Sequence, residues 1–383
     1  MTSDDLPIGR RVARWRVRRS MTQQQLADRL RRSKSWVDKV ERGVRALDRY
    51  SVIQELADVL RVDPEVLLGQ QPQRTPVGAL EGMDDIRAAL ARYDAPEAAQ
   101  QTTEEARRQV GYAWLTYQHA HYAQLVRVLP SLLDVVQGAR SPEVRVQTCR
   151  ITSALLVKLG EADLGWLAAD RAMAAAGDDP ALAATAAVSV GQALRASGRD
   201  RLALAATLAA ANRVRPQRSL GEWAVGGTLL LQAALAAAGC GEHRRAGELT
   251  ERAAGVAAHL RGYDDQHRTS FGPVAVELAR VLVAALRGDA DEAVQRHVSV
   301  VRRDGWRRLP AEHRGAYLLD AARAYLQVGD LRGAARALVD ADSVAPAEVR
   351  CRPLARTLIA DVAGAQPAPA GVTRLATLVG LIH

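Results

Sequence analysis

Between residues 8 and 69, apolar positions recur every three or four residues in short blocks, each set off from the next by a capping residue or a glycine. Gln25 follows Thr22 by three positions, a pairing in which each side chain can satisfy the other residue's backbone N–H, so the spacing predicts a helix beginning at Gln23. Leu26, Ala27 and Leu30 share one face of it. Ser33 predicts a second cap, and the helix it opens turns Val37 and Val40 inward at i, i+3 spacing while Lys34, Ser35, Asp38 and Lys39 face outward. Gly43 ends that helix. Residues 70–80, QQPQRTPVGAL, hold two prolines and few apolar side chains and read as a linker. Beyond Glu81 the pattern is helical almost to the end, without the sustained alternation that strands require. Turn positions at Ala120, Gly160, Gly198, Gly241, Gly288 and Gly329 recur 38 to 47 residues apart, each between two apolar helices. The expected class is all-α, with domain boundaries at 1–69, 70–80 and 81–383.

Charge changes the picture for the first block alone. Residues 1–45 carry thirteen Lys or Arg against five Asp or Glu, so nearly all of the formal net charge of +9 lies at one end. The segment TQQQLADRLRRSKSWVDKVERG, residues 22–43, has the spacing of a helix-turn-helix that lays its second helix in a major groove. A local cationic excess favours a phosphate backbone through counterion release.

The first 69 residues resemble the Cro/repressor type of helix-turn-helix domain, the XRE family, along their whole length. The resemblance implies five helices, at 8–18, 22–30, 33–41, 50–60 and 64–68, with the third as the recognition helix. The segment KVERGVRAL is similar to the stretch that closes that helix and crosses to the fourth. By this resemblance Gln23 buttresses a backbone contact, Lys34 and Ser35 reach base edges, and Lys39 and Arg42 lie near phosphates. The chain departs from the family at the turn, where Arg31 and Arg32 replace the usual Gly and apolar residue. A left-handed Arg31 costs roughly 1 kcal/mol relative to Gly, which two cations touching DNA would offset. Trp36 has two readings: an aromatic plate against a sugar or thymine methyl, or packing against Trp15 and Val12 of the first helix. The expected DNA-contact set is Gln23, Arg31, Arg32, Ser33, Lys34, Ser35, Trp36, Lys39 and Arg42.

The long second body resembles a tetratricopeptide array. Its clearest unit runs Leu318, Ala321, Ala322, Tyr325, Gly329, Leu331, Ala334, Leu338, Ala341, Pro346, with small residues where helices cross and a proline that stops the second helix. Elsewhere Gly198, Ala203 and Ala210 fit, but the longer intervals imply longer helices or loops. The expectation is a right-handed α-solenoid of about six tetratricopeptide-like helix pairs, with helices from Pro353 onward as a cap. Such a stack has a concave face lined by the first helix of each pair. Trp114, Tyr117, Gln147, Arg150, Gln192, Arg195, Arg323 and Gln327 are expected to look into it, a mixture suited to peptide amides and a carboxylate. FGPVAVELARVLVAALRGD, from Phe271, resembles a motif of helix-turn-helix regulators with tetratricopeptide tails. Where those relatives carry an Asn and a His, this chain has Ala275 and Ala279.

Composition bounds the rest. At 383 residues and 48% hydrophobic the chain can bury a large core, and with aromatics at 4% that core must be Ala, Leu and Val. No basic-apolar-small leader opens the sequence, and the longest apolar run, 229–238, is short for a membrane span and broken by Gln232, so a soluble cytoplasmic protein is expected. Cys149, Cys240 and Cys351 are odd in number and far apart, which fits reduced core thiols. There is no phosphate-cradling Gly-rich loop ending in Lys, and the only lysines are Lys34, Lys39 and Lys158. His119 and His121, two apart on a helix, are expected on different faces, without a shared metal. Asp264, Asp265 and His267 share a loop that reads as solvated.

No catalytic residues, cofactor or metal are expected. The sequence points to a bacterial transcriptional regulator that binds double-stranded DNA as a homodimer, because one recognition helix reads few base pairs and half-sites lie about 34 Å apart. Its repeat body would sense a peptide, small molecule or protein. The alternative is a tetratricopeptide adaptor acting through protein contacts.

Overall fold

Helix α1 (Ile8–Arg18) of the computed structural model leads into α2 (Gln23–Arg29), α3 (Lys34–Glu41) and α4 (Tyr50–Leu60). The structure describes residues 8–19, 21–45, 47, 50–60, 62, 67, 82–92, 102–138, 141–214, 219–260, 267–365, 367–369 and 371–381. The chain divides into two compact units, Met1–Pro76 and Val77–His383. The expected linker at 70–80 lies outside the described residues, as does the expected helix at 64–68 except for Leu67, which is helical and buried.

In the first unit the predicted caps are used. Thr22 accepts from the Gln25 backbone N–H while the Gln25 side chain accepts from that of Thr22, a complete capping box. Ser33 accepts from the Trp36 backbone N–H at 3.1 Å and starts α3. Leu26, Ala27, Leu30 and Val37 are buried with Val12 of α1 and Leu56, Ala57 and Leu60 of α4 in one core. Gly9 permits the close approach of α1 to α3: a Cβ there would fall 1.9 Å from the Val40 carbonyl oxygen.

The second unit opens with α5 (Met83–Ala91), which packs on α7. Six antiparallel pairs follow. They are α6 (Thr103–Gln118) with α7 (Tyr122–Gln137), α8 (Pro142–Lys158) with α9 (Ala162–Ala176), and α10 (Pro180–Ala196) with α11 (Asp200–Arg213). Next come α12 (Leu220–Gly239) with α13 (His243–Ala257), α14 (Pro273–Arg287) with α15 (Ala290–Val300), and α16 (Ala311–Gln327) with α17 (Leu331–Val344). A 3-10 turn, Asp304–Arg308, precedes α16, and three short helices, α18 (Pro346–Cys351), α19 (Pro353–Ala363) and α20 (Val372–Leu378), close the body. All six predicted turn positions take left-handed φ: Ala120 at 58°, Gly160 at 83°, Gly198 at 69°, Gly241 at 81°, Gly288 at 94° and Gly329 at 78°. One such residue reverses each pair without lengthening the loop. Among the described residues α12 alone is long and apolar enough to cross a membrane; 72% of its most apolar window is buried within this body.

The array does not stay open. Ala345 shares a core with α6–α9, and a Cβ on Gly160 would lie 2.8 Å from the Pro353 ring, so the C-terminal helices seat against the second pair. A buried charge cluster fastens this closure. Glu348, fully buried, accepts from Lys158 Nζ at 2.6 Å, from Arg352 Nη1 at 2.7 Å and from the Tyr122 hydroxyl, while Lys158 also pairs with Glu312 at 2.9 Å. Burial alone would push the Glu348 carboxyl up; Lys158 and Arg352 outweigh it and hold it below the ordinary carboxylate value.

Candidate nucleic-acid interface and interior chamber

Helix α3 is positioned by one carboxylate. Glu41, at the end of α3, accepts from Arg16 of α1 through Nε at 2.5 Å and Nη2 at 3.0 Å, and from Gln23 of α2 through Nε2 at 2.9 Å. Arg16 also donates from Nη1 to the Met21 carbonyl at 2.7 Å. The hydrogen bond to Glu41 outweighs desolvation and raises the Arg16 pKa, so the pair stays charged. Gln23 thus braces α2 against α3. Glu41 and Arg16 carry the geometry of the site, yet neither was singled out from the sequence; the only signal was a polar residue on the inward face beside Val37 and Val40.

The outward face of α3 is cationic and polar. Lys34, Ser35 and Lys39 are exposed, as are Arg31, Arg32 and Ser33 just before them. Arg31 holds φ 53°, and its backbone N–H donates to the Asp28 carbonyl while that of Arg32 donates to the Ala27 carbonyl, so the turn closes α2 with Arg where Gly costs less. The Arg32 guanidinium stacks 5.7 Å from the Trp36 ring and lies 3.9 Å from Glu55. Trp36 is half-buried and, like Trp15, packs against the core that includes Val12. Its ring is therefore both a support and the floor on which Arg32 rests. Arg42 pairs with Asp38 at 2.5 Å on the surface.

In the second unit the first helices of all six pairs line one chamber of about 650 Å³. Six of the eight side chains expected on the concave face are among its walls: Trp114, Tyr117, Arg150, Gln192, Arg195 and Arg323. Gln147 and Gln327 are not; Gln147 instead accepts from Arg150 at 3.0 Å. The sequence reading did not include Lys158, Arg268, Phe271 or Arg352, which also line it. Lys158 had a signal, as the only lysine beyond residue 39. Trp114 is the centre of a cationic face, with the Arg150 and Arg268 guanidiniums 5.4 and 5.8 Å from its ring and Tyr117 edge-on at 5.8 Å. Burial, then Glu312 and Glu348, push the Tyr117 hydroxyl well above its ordinary pKa, so it is a neutral hydrogen-bonding group. Leu231, Leu235, Phe271, Ala275, Leu278 and Ala279 are the apolar part of the lining.

His119 and His121 differ from their expected placement. Helix α6 ends at Gln118, and left-handed Ala120 brings the two rings to 6.0 Å instead of opposite faces. Among the described residues no three His, Cys, Asp or Glu side chains form a group able to hold a metal ion. The His267 carbonyl accepts from Arg150 at 3.3 and 3.4 Å, whereas Asp264 and Asp265 lie outside the described residues. Cys149 is buried, which raises its thiol to about 11 and keeps it protonated at neutral pH.

No curated protein matches the chain. Among solved structures it is similar to the crystal structure of Bacillus thuringiensis PlcR in complex with the peptide PapR7 and DNA, with a TM-score of 0.40 and 10% identity, over 77% of this chain and 94% of that one. Residues 7–68 match a family model described as a helix-turn-helix domain. With Ser33 capping an exposed cationic helix behind the Arg31–Arg32 turn, this segment is an XRE-type helix-turn-helix DNA-binding domain.

Proposed function

We infer that the chain is a sequence-specific transcriptional regulator whose α3 enters the major groove of double-stranded DNA and whose helical body senses a ligand. The observation that carries the DNA half is the α3 face: Lys34, Ser35 and Lys39 stand exposed on a helix fixed from behind by Arg16, Gln23 and Glu41. Gln23, Arg31, Arg32, Ser33, Trp36 and Arg42 complete the contact set, the arginines on phosphates and Lys34 and Ser35 on base edges. A homodimer supplies the second half-site, since a single helix discriminates few base pairs. The chamber supports the sensing half, because a concave site with convergent polar groups and an apolar wall is what a regulatory ligand requires. Ligand acts by shifting the population of DNA-competent protein, and neither catalysis nor a cofactor enters. The protein works in the cytoplasm, where its duplex is.

Recovery of genomic fragments retained by the full chain, followed by a salt titration on the best fragment, tests this reading. Affinity falling steeply between 50 and 200 mM salt, on the order of a thousand-fold for about six phosphate contacts, is expected. Flat, negligible duplex binding would assign the chain to protein–protein scaffolding instead.

A further inference from the structure

We propose that the chamber takes an organic carboxylate with an apolar tail, the anion held by Arg195 and Arg323 and the tail laid against Phe271, Ala275, Leu278 and Ala279. This rests on the sensing role of the body and names its ligand class. Six lining side chains are cationic and three are acidic, and Glu348 behind the wall pairs with Lys158 and Arg352, which leaves a positive excess of two. Arg195 is the pivotal group. It lies deep within the body, yet part of its surface stays accessible, and that surface faces the chamber it lines. Its only hydrogen bond among the described residues goes to the neutral amide of Gln232, from Nη1 at 3.0 Å. Asp320 and Asp200 act on it through space, but neither comes within ion-pair distance. Desolvation prevails and lowers its pKa. A partly desolvated guanidinium with no carboxylate in contact lacks the partner that its planar fork of donors fits best.

Arg323 stands close enough to Arg195 to repel it, and its own acid, Asp320, is held at 3.1 Å on one side only. Among the described residues Asp320 contacts Arg323 alone, so Arg195 is left without a carboxylate in contact and can take one from a ligand. The apolar wall fixes the rest of the ligand. Phe271 is seated by Gly227, where a Cβ would come within 2.1 Å of its ring, and Ala275 and Ala279 line the chamber with it. The volume suits a drug-sized molecule. The same chemistry is presented by a free carboxylic acid and by the C-terminal end of a short apolar peptide.

Calorimetric titration of the full-length protein with sodium octanoate, octan-1-ol, dileucine and dileucine amide tests the assignment. Octanoate is expected to bind at least ten-fold more tightly than octanol. Arg195→Gln should remove at least ten-fold of octanoate affinity and leave octanol unchanged, and Ala279→Phe should abolish both. Arg323→Gln provides the same test if the Arg195 variant does not fold. Dileucine binding that is tighter than octanoate and lost on amidation assigns the carboxylate to a peptide end; octanoate binding alone assigns it to a free acid. Octanol equalling octanoate, neither carboxylate binding, or both arginine variants binding like the parent would overturn the proposal. Duplex affinity measured in the same samples separates the two ideas: arginine-dependent octanoate binding with unchanged duplex affinity keeps the ligand class and removes the sensing role.

Discussion

Arg16 and Glu41 meet through two parallel hydrogen bonds, 2.5 and 3.0 Å long, and so tie the last turn of α1 to the last turn of the recognition helix. Their side chains are 14% and 6% exposed, which makes this a largely desolvated pair whose members depend on each other. Removing Glu41 leaves the Arg16 guanidinium without a counter-charge, at a cost of up to about 3–5 kcal/mol. Glu41→Ala should therefore lose protection of α1–α3 amides in hydrogen exchange and weaken every duplex alike, since the helix is misplaced rather than a base contact removed. Unchanged exchange in α1–α3 would show that the pair does not hold the helix.

Arg31 carries both a backbone strain and a charge, and these predict opposite effects of one substitution. Its φ of 53° favours Gly by about 1 kcal/mol, so Arg31→Gly should raise the stability of the DNA-binding unit. The same change should reduce duplex affinity and lower the salt slope by about one. A variant that is more stable and binds DNA as tightly as the parent would place this cation away from the phosphates.

Lys34 and Arg42 should separate in binding assays. Lys34→Ala is expected to cost on the order of 1–3 kcal/mol and to relax preference at one base position. Arg42 already pairs with Asp38, but a surface i, i+4 pair contributes only about 0.3–0.5 kcal/mol and yields easily to a phosphate. Arg42→Ala should accordingly weaken all duplexes equally. Equal losses on every sequence for Lys34→Ala would remove it from the base-reading set.

The features that local chemistry dictates were legible in the sequence. Thr22 with Gln25, Ser33, the strained Arg31 and the six left-handed turns each depend on residues within four positions of one another, where capping and φ preferences act directly. The chamber walls were legible as a helical phase, which is why Trp114, Arg150, Gln192 and Arg195 fall together. Pairings between distant segments carry no such signature. Lys158 and Glu348 are 190 residues apart, and periodicity marks both only as polar residues on helices. Closure of the array onto its second pair was invisible for the same reason, as was the fit of Phe271 over Gly227.

His297 links stability to pH. It shares a 3.0 Å hydrogen bond with the Tyr317 hydroxyl, meets the Tyr325 ring edge-on, and is held down to about 4 by burial. A histidine whose folded pKa lies below its unfolded value of about 6.5 is protonated more readily when unfolded. Its stabilising effect is thus full above pH 6.5 and declines as pH falls toward 4, by on the order of 3 kcal/mol. Urea melts of the full chain should show this decline, and His297→Phe should flatten it while leaving neutral-pH stability within about 1–2 kcal/mol. An identical slope in the variant would assign the acid sensitivity to the carboxylates.

The Glu348 cluster makes the C-terminal helices part of the chamber's frame, because its cations come from segments far apart in sequence: Lys158 from α8 and Arg352 beside α19. Lys158→Met leaves Glu348 with one cation and Glu312 with none from this cluster, so a loss of about 3–5 kcal/mol is expected. Glu348→Gln keeps the volume but removes the charge that Lys158 and Arg352 share. The double variant should be less destabilised than the sum of the two, by about 1–3 kcal/mol, since each single change strands the other partner. Because the Glu348 pKa is lowered in the folded protein, its stabilising effect is present above the ordinary carboxylate range and is lost as pH falls through the lowered value. Hydrogen exchange locates the damage: amides of α18–α20 should open first in Lys158→Met. Strict additivity, with α18–α20 protected as in the parent, would mean that apolar packing of Ala345 and Pro353 closes the array without the buried charges.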